Sequence, residues 1–221
     1  MTSLALFDLD HTLLSGDSDV LWCEWLMGQG LLERETFAPR NAAMEAAYKA
    51  GTVSVHEFSG FYVGTLAGRS PAQWEPLRQR FLTEEIAPRI PEAAHAQVRM
   101  HQEAGHTVVL TTATNRVITE LTAAHLGIEH LIATECELGP DGCYTGRVRG
   151  EPNMREGKVV NLQAWLAARG LTLEGIDSVA YSDSMNDAPL LSAARRAVAV
   201  DPDARLAALA AERGWEVLRW R

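Results

Sequence analysis

The chain has 221 residues, 47% hydrophobic and 22% charged, with a formal net charge of -9. That length buries a sizeable core, as one domain with an insertion or as two modest domains, and the composition excludes a disordered chain. No apolar run approaches the roughly 20 residues of a membrane-spanning helix, and the acidic balance argues against nucleic acid, whose binding draws on clustered Lys and Arg.

Met1 to Phe7 lacks a basic leader region and runs straight into Asp8, which points to a cytoplasmic protein. Leu4 to Phe7 reads as a short buried strand that delivers Asp8 at its end. From Ser15 to about Ile90 the pattern turns helical. Asp17 or Ser18 caps a helix carrying Val20, Leu21, Trp25 and Leu26, followed by helices over 34–50, 54–66 and 70–86, the last opened by Ser70-Pro71. Nine of the fifteen aromatics fall between residues 13 and 90, enough for a helical bundle with its own core.

After Pro91 the rhythm becomes strand, helix, strand. A helix ends near Ala104-Gly105, a strand is expected over 107–110, a helix over 115–126, and strands over 130–134, 178–181, 197–200 and 216–218. This alternation predicts an α/β fold with a parallel sheet. Residues 135–138 and 144–148, around Gly139-Pro140-Asp141-Gly142, predict a β-hairpin flap. Cys23, Cys136 and Cys143 are odd in number and lack CxxC spacing, so they read as structural thiols.

Four segments carry phosphoryl-transfer chemistry: Asp8-Leu9-Asp10-His11-Thr12, Thr112, Lys158, and Ser182 to Asp187. In a parallel sheet, ligands collect beyond the carboxyl ends of the strands, where Asp8, Thr112 and Asp183 are expected to meet. Asp8 suits a carboxylate nucleophile, and Asp10 a general acid and base two residues on. Asp8, Asp183 and a main-chain oxygen at Asp10 suit Mg²⁺, a hard cation content with few carboxylates. Thr112 and Lys158 supply a donor and a fixed positive charge for the phosphoryl oxygens, with Asp187 bracing from behind.

This combination resembles the haloacid dehalogenase superfamily of aspartate-dependent phosphatases. Asp8 to Leu13, Thr112, Lys158 and Asp183 with Asp187 are similar to its four motifs in order. The resemblance implies a Rossmann-like core from residues 1–14 and 91–221, Mg²⁺ dependence and a phosphoaspartate intermediate. It also implies a helical cap over residues 15–90, as in the phosphoserine-phosphatase-like branch. Two departures from phosphoserine phosphatase stand out. Thr112 is followed by Ala113-Thr114-Asn115-Arg116 where that enzyme has two glycines, and Ser182 replaces the glycine before Asp183. The strings 111–116, 132–137 and 181–187 are more similar to a bacterial subgroup assigned as histidinol-phosphate phosphatases.

The expected substrate is therefore a small phosphorylated metabolite, with histidinol phosphate favoured and phosphoserine or phosphotransfer as alternatives. Asp17 and Asp19 are candidates to meet an ammonium. Arg40, Asn41, Ala113, Asn115 and Asn186 are further candidate contacts, while Trp22 and Trp25 read mainly as bundle core. A phospho-accepting signalling module is the rival from another class, disfavoured by the long helical insertion. Nothing in the sequence calls for a membrane or an obligate protein partner.

Overall fold

Ser3–Phe7 forms β1, an apolar run whose side chains alternate between the two faces of a sheet. Ala5 and Phe7 join one core cluster, and Leu4 and Leu6 another. Burial on both faces makes a parallel strand read as a continuous apolar run. The structure is a computed structural model describing residues 3–220. Met1, Thr2 and Arg221, which belong to the expected leaderless start and to the ends of the expected core segments, lie outside the described residues.

Four helices follow β1: α1 (Ser18–Gly28), α2 (Arg34–Ala50), α3 (Val55–Gly64) and α4 (Pro71–Phe81). Their starts have legible causes. Asp17 caps α1 through Val20 N, Ser54 caps α3 through Glu57 N, and Ser70 with Gln73 forms a capping box ahead of Pro71. The expected helix over 70–86 stops earlier, at Phe81, and Leu82–Ile86 winds on as a wider π turn. Trp22, Trp25, Trp74 and Phe81 pack together, so the tryptophans serve as core. At the base of this insertion Ser15 N donates to Arg89 O at 2.8 Å, bringing its two ends together.

The remaining elements are α5 (Glu92–Glu103), β2 (Thr107–Asn115), α6 (Arg116–His125), β3 (His130–Thr134), β4 (Cys136–Leu138) and β5 (Tyr144–Val148). They continue with α7 (Glu156–Ala167), β6 (Asp177–Ser182), α8 (Ala188–Ala193), β7 (Arg196–Val200), α9 (Ala204–Arg213) and β8 (Glu216–Leu218). Six parallel strands lie in the order β3-β2-β1-β6-β7-β8, and β4 and β5 form a separate antiparallel hairpin. The α/β architecture, the helical insertion after β1 and the hairpin are those expected from sequence.

Strand β2 outruns its expected end at Leu110 because buried, β-branched Thr111, Thr112 and Thr114 extend it to the cap of α6 at Asn115. Helices α8 and α9 lie where the sequence reading placed none. Cys136 pairs in register with Val148, not with Cys143, and all three thiols are free. Among the described residues no helix is long and apolar enough to cross a membrane.

Candidate active site

The strand order sets the site. Central β1 lies between β2 and β6, so Asp8, Thr112 and Asp183 come together at one edge of the sheet although they are far apart in the chain. Lys158, in the first turn of α7, reaches between two buried carboxylates, with Nζ 2.7 Å from Asp8 Oδ1 and 2.7 Å from Asp187 Oδ2. Ser182 Oγ donates to the same Asp187 oxygen at 2.8 Å. The first turn of α7 is tight for a definite reason: a Cβ on Gly157 would sit 2.1 Å from Pro152 O. Only glycine lets the loop pass there and aim the next residue, Lys158, inward.

Thr12 connects the two halves of the acidic cluster. Its Oγ1 lies 3.1 Å from Asp8 Oδ2 and 3.0 Å from Asp183 Oδ1, and it accepts the Asp183 amide at 3.0 Å. Its single proton serves one carboxylate at a time. Asp10 is held separately: Oδ1 accepts Ser18 N at 2.7 Å, and Oδ2 accepts Thr114 Oγ1 at 2.9 Å and Thr112 Oγ1 at 3.4 Å. Asn153, fully buried, braces the wall with Nδ2 at 3.0 Å from Thr111 Oγ1, 2.9 Å from Thr112 O and 3.0 Å from Ile132 O.

Charge in this pocket is out of balance. Burial pushes the Asp8 carboxyl up to about 7 against the pull of Lys158, with Asp187 and Asp10 adding to the rise. Burial also holds Asp183 well above its ordinary value, with Asp8 second. Lys158 is opposed by its own burial, but the charges of Asp187 and Asp8 outweigh that and raise it. One ammonium among three acids leaves negative charge that a divalent cation would offset. Among the described residues no three His, Cys, Asp or Glu side chains form a ready metal cage. Asp8 and Asp183, bridged by one hydroxyl, are a two-carboxylate set, which suits a hard cation that retains most of its water.

The haloacid dehalogenase-like hydrolase family matches residues 5–192. The chain belongs to this family. It is 37% identical to a histidinol-phosphatase of Neisseria meningitidis serogroup C (strain 8013), the alignment covering 100% of both chains. It is also 35% identical to a phosphoserine phosphatase of Mycobacterium tuberculosis (strain H37Rv), over 100% of this chain and 72% of that one. A crystal structure of a Bordetella pertussis Tohama I protein of unknown function superposes with a TM-score of 0.92 at 41% identity, covering 99% of each chain. This haloacid dehalogenase-like hydrolase is thus a phosphomonoesterase of the phosphoserine phosphatase branch, acting on a small phosphorylated metabolite.

The hydrolase joins Asp8, Lys158, Asp183 and Asp187 through hydrogen bonds that include Thr12, and joins Asp10 to Thr112 in a second group. Asp17 caps α1 and is buried. Burial, then the charge of Asp10, pushes it up to about 8. Ala113 is buried against Val20, Phe58 and Tyr62. Asn115 caps α6, and its buried Nδ2 has no hydrogen-bond partner among the described residues. Asn186 lies beside Asp187 and meets the chain of α2 through Tyr48 O at 3.4 Å. Arg40 is exposed, and its guanidinium stacks 5.3 Å from the Phe37 ring and 5.2 Å from the Phe61 ring. The sequence reading gave no role in the site to Thr12, Thr114, Ser182 or Asn153, and read Ser18 only as a candidate helix cap. The one available signal was the density of hydroxyls flanking the acidic motifs.

Proposed function

We propose that the chain hydrolyses a phosphorylated amino alcohol, histidinol phosphate being the favoured case, through a phosphoaspartate on Asp8. The observation that carries this reading is Asp8 itself, buried at the end of β1 with Lys158 at 2.7 Å and Thr12 at 3.1 Å. Its carboxylate oxygen attacks phosphorus and the ester P–O bond breaks. The carboxyl of Asp10 gives its proton to the leaving oxygen. Asp10 then takes a proton from the water that attacks phosphorus, which frees Asp8 and inorganic phosphate. Thr112 donates to a phosphoryl oxygen, while Lys158 offsets its charge and is itself aimed by Asp187. Mg²⁺ held by Asp8, Asp183 and the Asp10 main chain would supply positive charge that lets one anion approach another.

Residues 15–90 would act as the cap over a core formed by 1–14 and 91–221, a division supported by the bond between Ser15 and Arg89. The substrate preference rests on the cap interior. Asp17 and Asp19 are buried there, and burial raises both carboxyls, with Asp10 and Asp17 respectively adding most among the charges. An ammonium would relieve them. Asp19 Oδ1, Asn41 Oδ1, Ser59 Oγ and Tyr62 OH are also buried without hydrogen-bond partners among the described residues. Such groups fit a polar guest.

Asp8→Asn should cut hydrolysis of an aryl phosphate by at least about a thousandfold while leaving the circular dichroism unchanged. Chelation should abolish activity in the wild type, and Mg²⁺ should restore it. Persistent turnover in Asp8→Asn would sink the nucleophile. In a panel of phosphorylated amino alcohols, amino acids and sugars, equal turnover throughout would remove the amine preference.

A further inference from the structure

The carbonyl end of α2 rests on three side chains from outside the helical insertion. Asn186 Nδ2 donates to Tyr48 O at 3.4 Å, Arg205 Nη2 to Lys49 O at 3.2 Å, and Arg155 Nη2 to Gly51 O at 3.3 Å. Arg155 Nε also donates to Asn186 Oδ1 at 3.2 Å, so two of the three are joined. The last carbonyls of a helix have no partners within it, and cations there are favoured by the helix dipole. Here the partners come from the residue before α7, the loop after β6 and the first turn of α9.

Backbone geometry fits the same purpose. Gly51 takes φ +72°, a left-handed conformation that favours glycine at the end of a helix, and a Cβ there would lie 3.0 Å from Arg205 Nη1. Arg155 is held at φ +53°, ψ −123°, a conformation L residues rarely adopt, and its bonds to Gly51 and Asn186 pin it there. It lies three residues before Lys158, and Asn186 lies one before Asp187, so the seat is continuous with the catalytic loops. Tyr48, on the seated turn, stacks on Phe58 with ring centroids 4.7 Å apart. Its phenol is raised well above the ordinary range by burial, then by the charges of Asp187, Asp8 and Asp183.

We infer that Arg155, Asn186 and Arg205 are positioning residues: they form a polar seat that holds the carbonyl end of α2 down onto the loops that carry Lys158 and Asp187. This deepens the proposed function, since it takes residues 15–90 as a cap that closes. Weakening the seat shifts the protein toward an open form, and the apparent affinity for substrate falls with the fraction closed.

Two readouts test it, one of them independent of activity. Lys49 is exposed and followed by Ala50 on the seated turn, so trypsin cleavage after Lys49 reports release of the seat. Arg205→Ala should speed that cleavage about fivefold and raise KM for an aryl phosphate by a similar factor, with kcat within about twofold. Arg205→Lys should recover much of both. Arg155→Ala with Arg205→Ala should exceed Arg205→Ala alone in both measures; should the pair fail to fold, Arg205→Ala decides, because that side chain is exposed. Wild-type cleavage and KM in Arg205→Ala would overturn the seat. If the wild-type protein hydrolyses no phosphate ester, the proposed function fails and the cleavage rates still judge the seat.

Discussion

Among the described residues Lys158 is the single cation in contact with Asp8 and Asp187, and its removal strands two buried carboxylates. Breaking a buried ion pair from one side costs about 3–5 kcal/mol. Lys158→Met should lower stability by that order at pH 8 in metal-free protein, read from urea unfolding. The pH dependence has a definite sign. Asp8 is raised from 3.8 to about 7 on folding, so its contribution is fully present below 3.8 and is lost as pH rises through 7. At pH 5 Asp8 carries a proton, the ion pair is largely gone from the wild type as well, and the loss on Lys158→Met should shrink. An equal loss at both pH values would count against this account of the cluster. Asp8, Asp10, Thr112, Lys158 and Asp183 were legible in sequence because each follows a strand or opens a helix. Thr12 was not, because a threonine beside an acidic loop reads equally as a cap, and its contact with Asp183 spans 171 positions.

At the scale of elements, the start of α7 is the most exacting place. The loop from Pro152 to Gly157 brings a carbonyl to where a Cβ would stand 2.1 Å away, and a backbone atom cannot yield as a flexible side chain can. Gly157→Ala should therefore cost about 3 kcal/mol, the upper end for overpacking. It should also displace Lys158, so activity on an aryl phosphate should fall far more than stability at 25 °C explains. A variant with wild-type kcat would mean that the loop relaxes without moving the lysine. Sequence offered Lys158 as a fixed positive charge, but not Gly157 before it as a steric requirement, because the obstructing carbonyl is placed by the fold. The same limit applies elsewhere. The starts of α1 and α4 were legible from their caps, Asp17 or Ser18 and Ser70-Pro71. The far half of β2 was not, because Thr111 to Asn115 is polar by composition and becomes strand through burial and the hydroxyl contacts of the site.

Across the whole molecule, His101 ties α5 to one face of the sheet. The ring on α5 contacts Tyr181 OH through Nε2 at 2.8 Å and His106 Nδ1 through Nδ1 at 2.7 Å, and packs edge-on against Phe7 and Tyr181. A neutral imidazole has one donor and one acceptor to serve those two contacts; protonation makes both nitrogens donors and removes the acceptor. Burial, then the charges of His106 and Arg196, lowers His101 from 6.5 to about 4. Between those values the unfolded chain binds the proton that the folded protein refuses. The stability contributed is present above 6.5 and is lost as pH falls toward 4, on the order of 2–3 kcal/mol. Asp8 and Asp17, both raised on folding, act with the opposite sign across the same range, so the acid limb of the wild type alone does not isolate the histidine. The comparison that does is the difference between wild type and His101→Gln in urea midpoint from pH 8 to 4.5. His101→Gln should start less stable and lose less on acidification, so that the two curves converge; parallel curves would show that the ring does not titrate in this window.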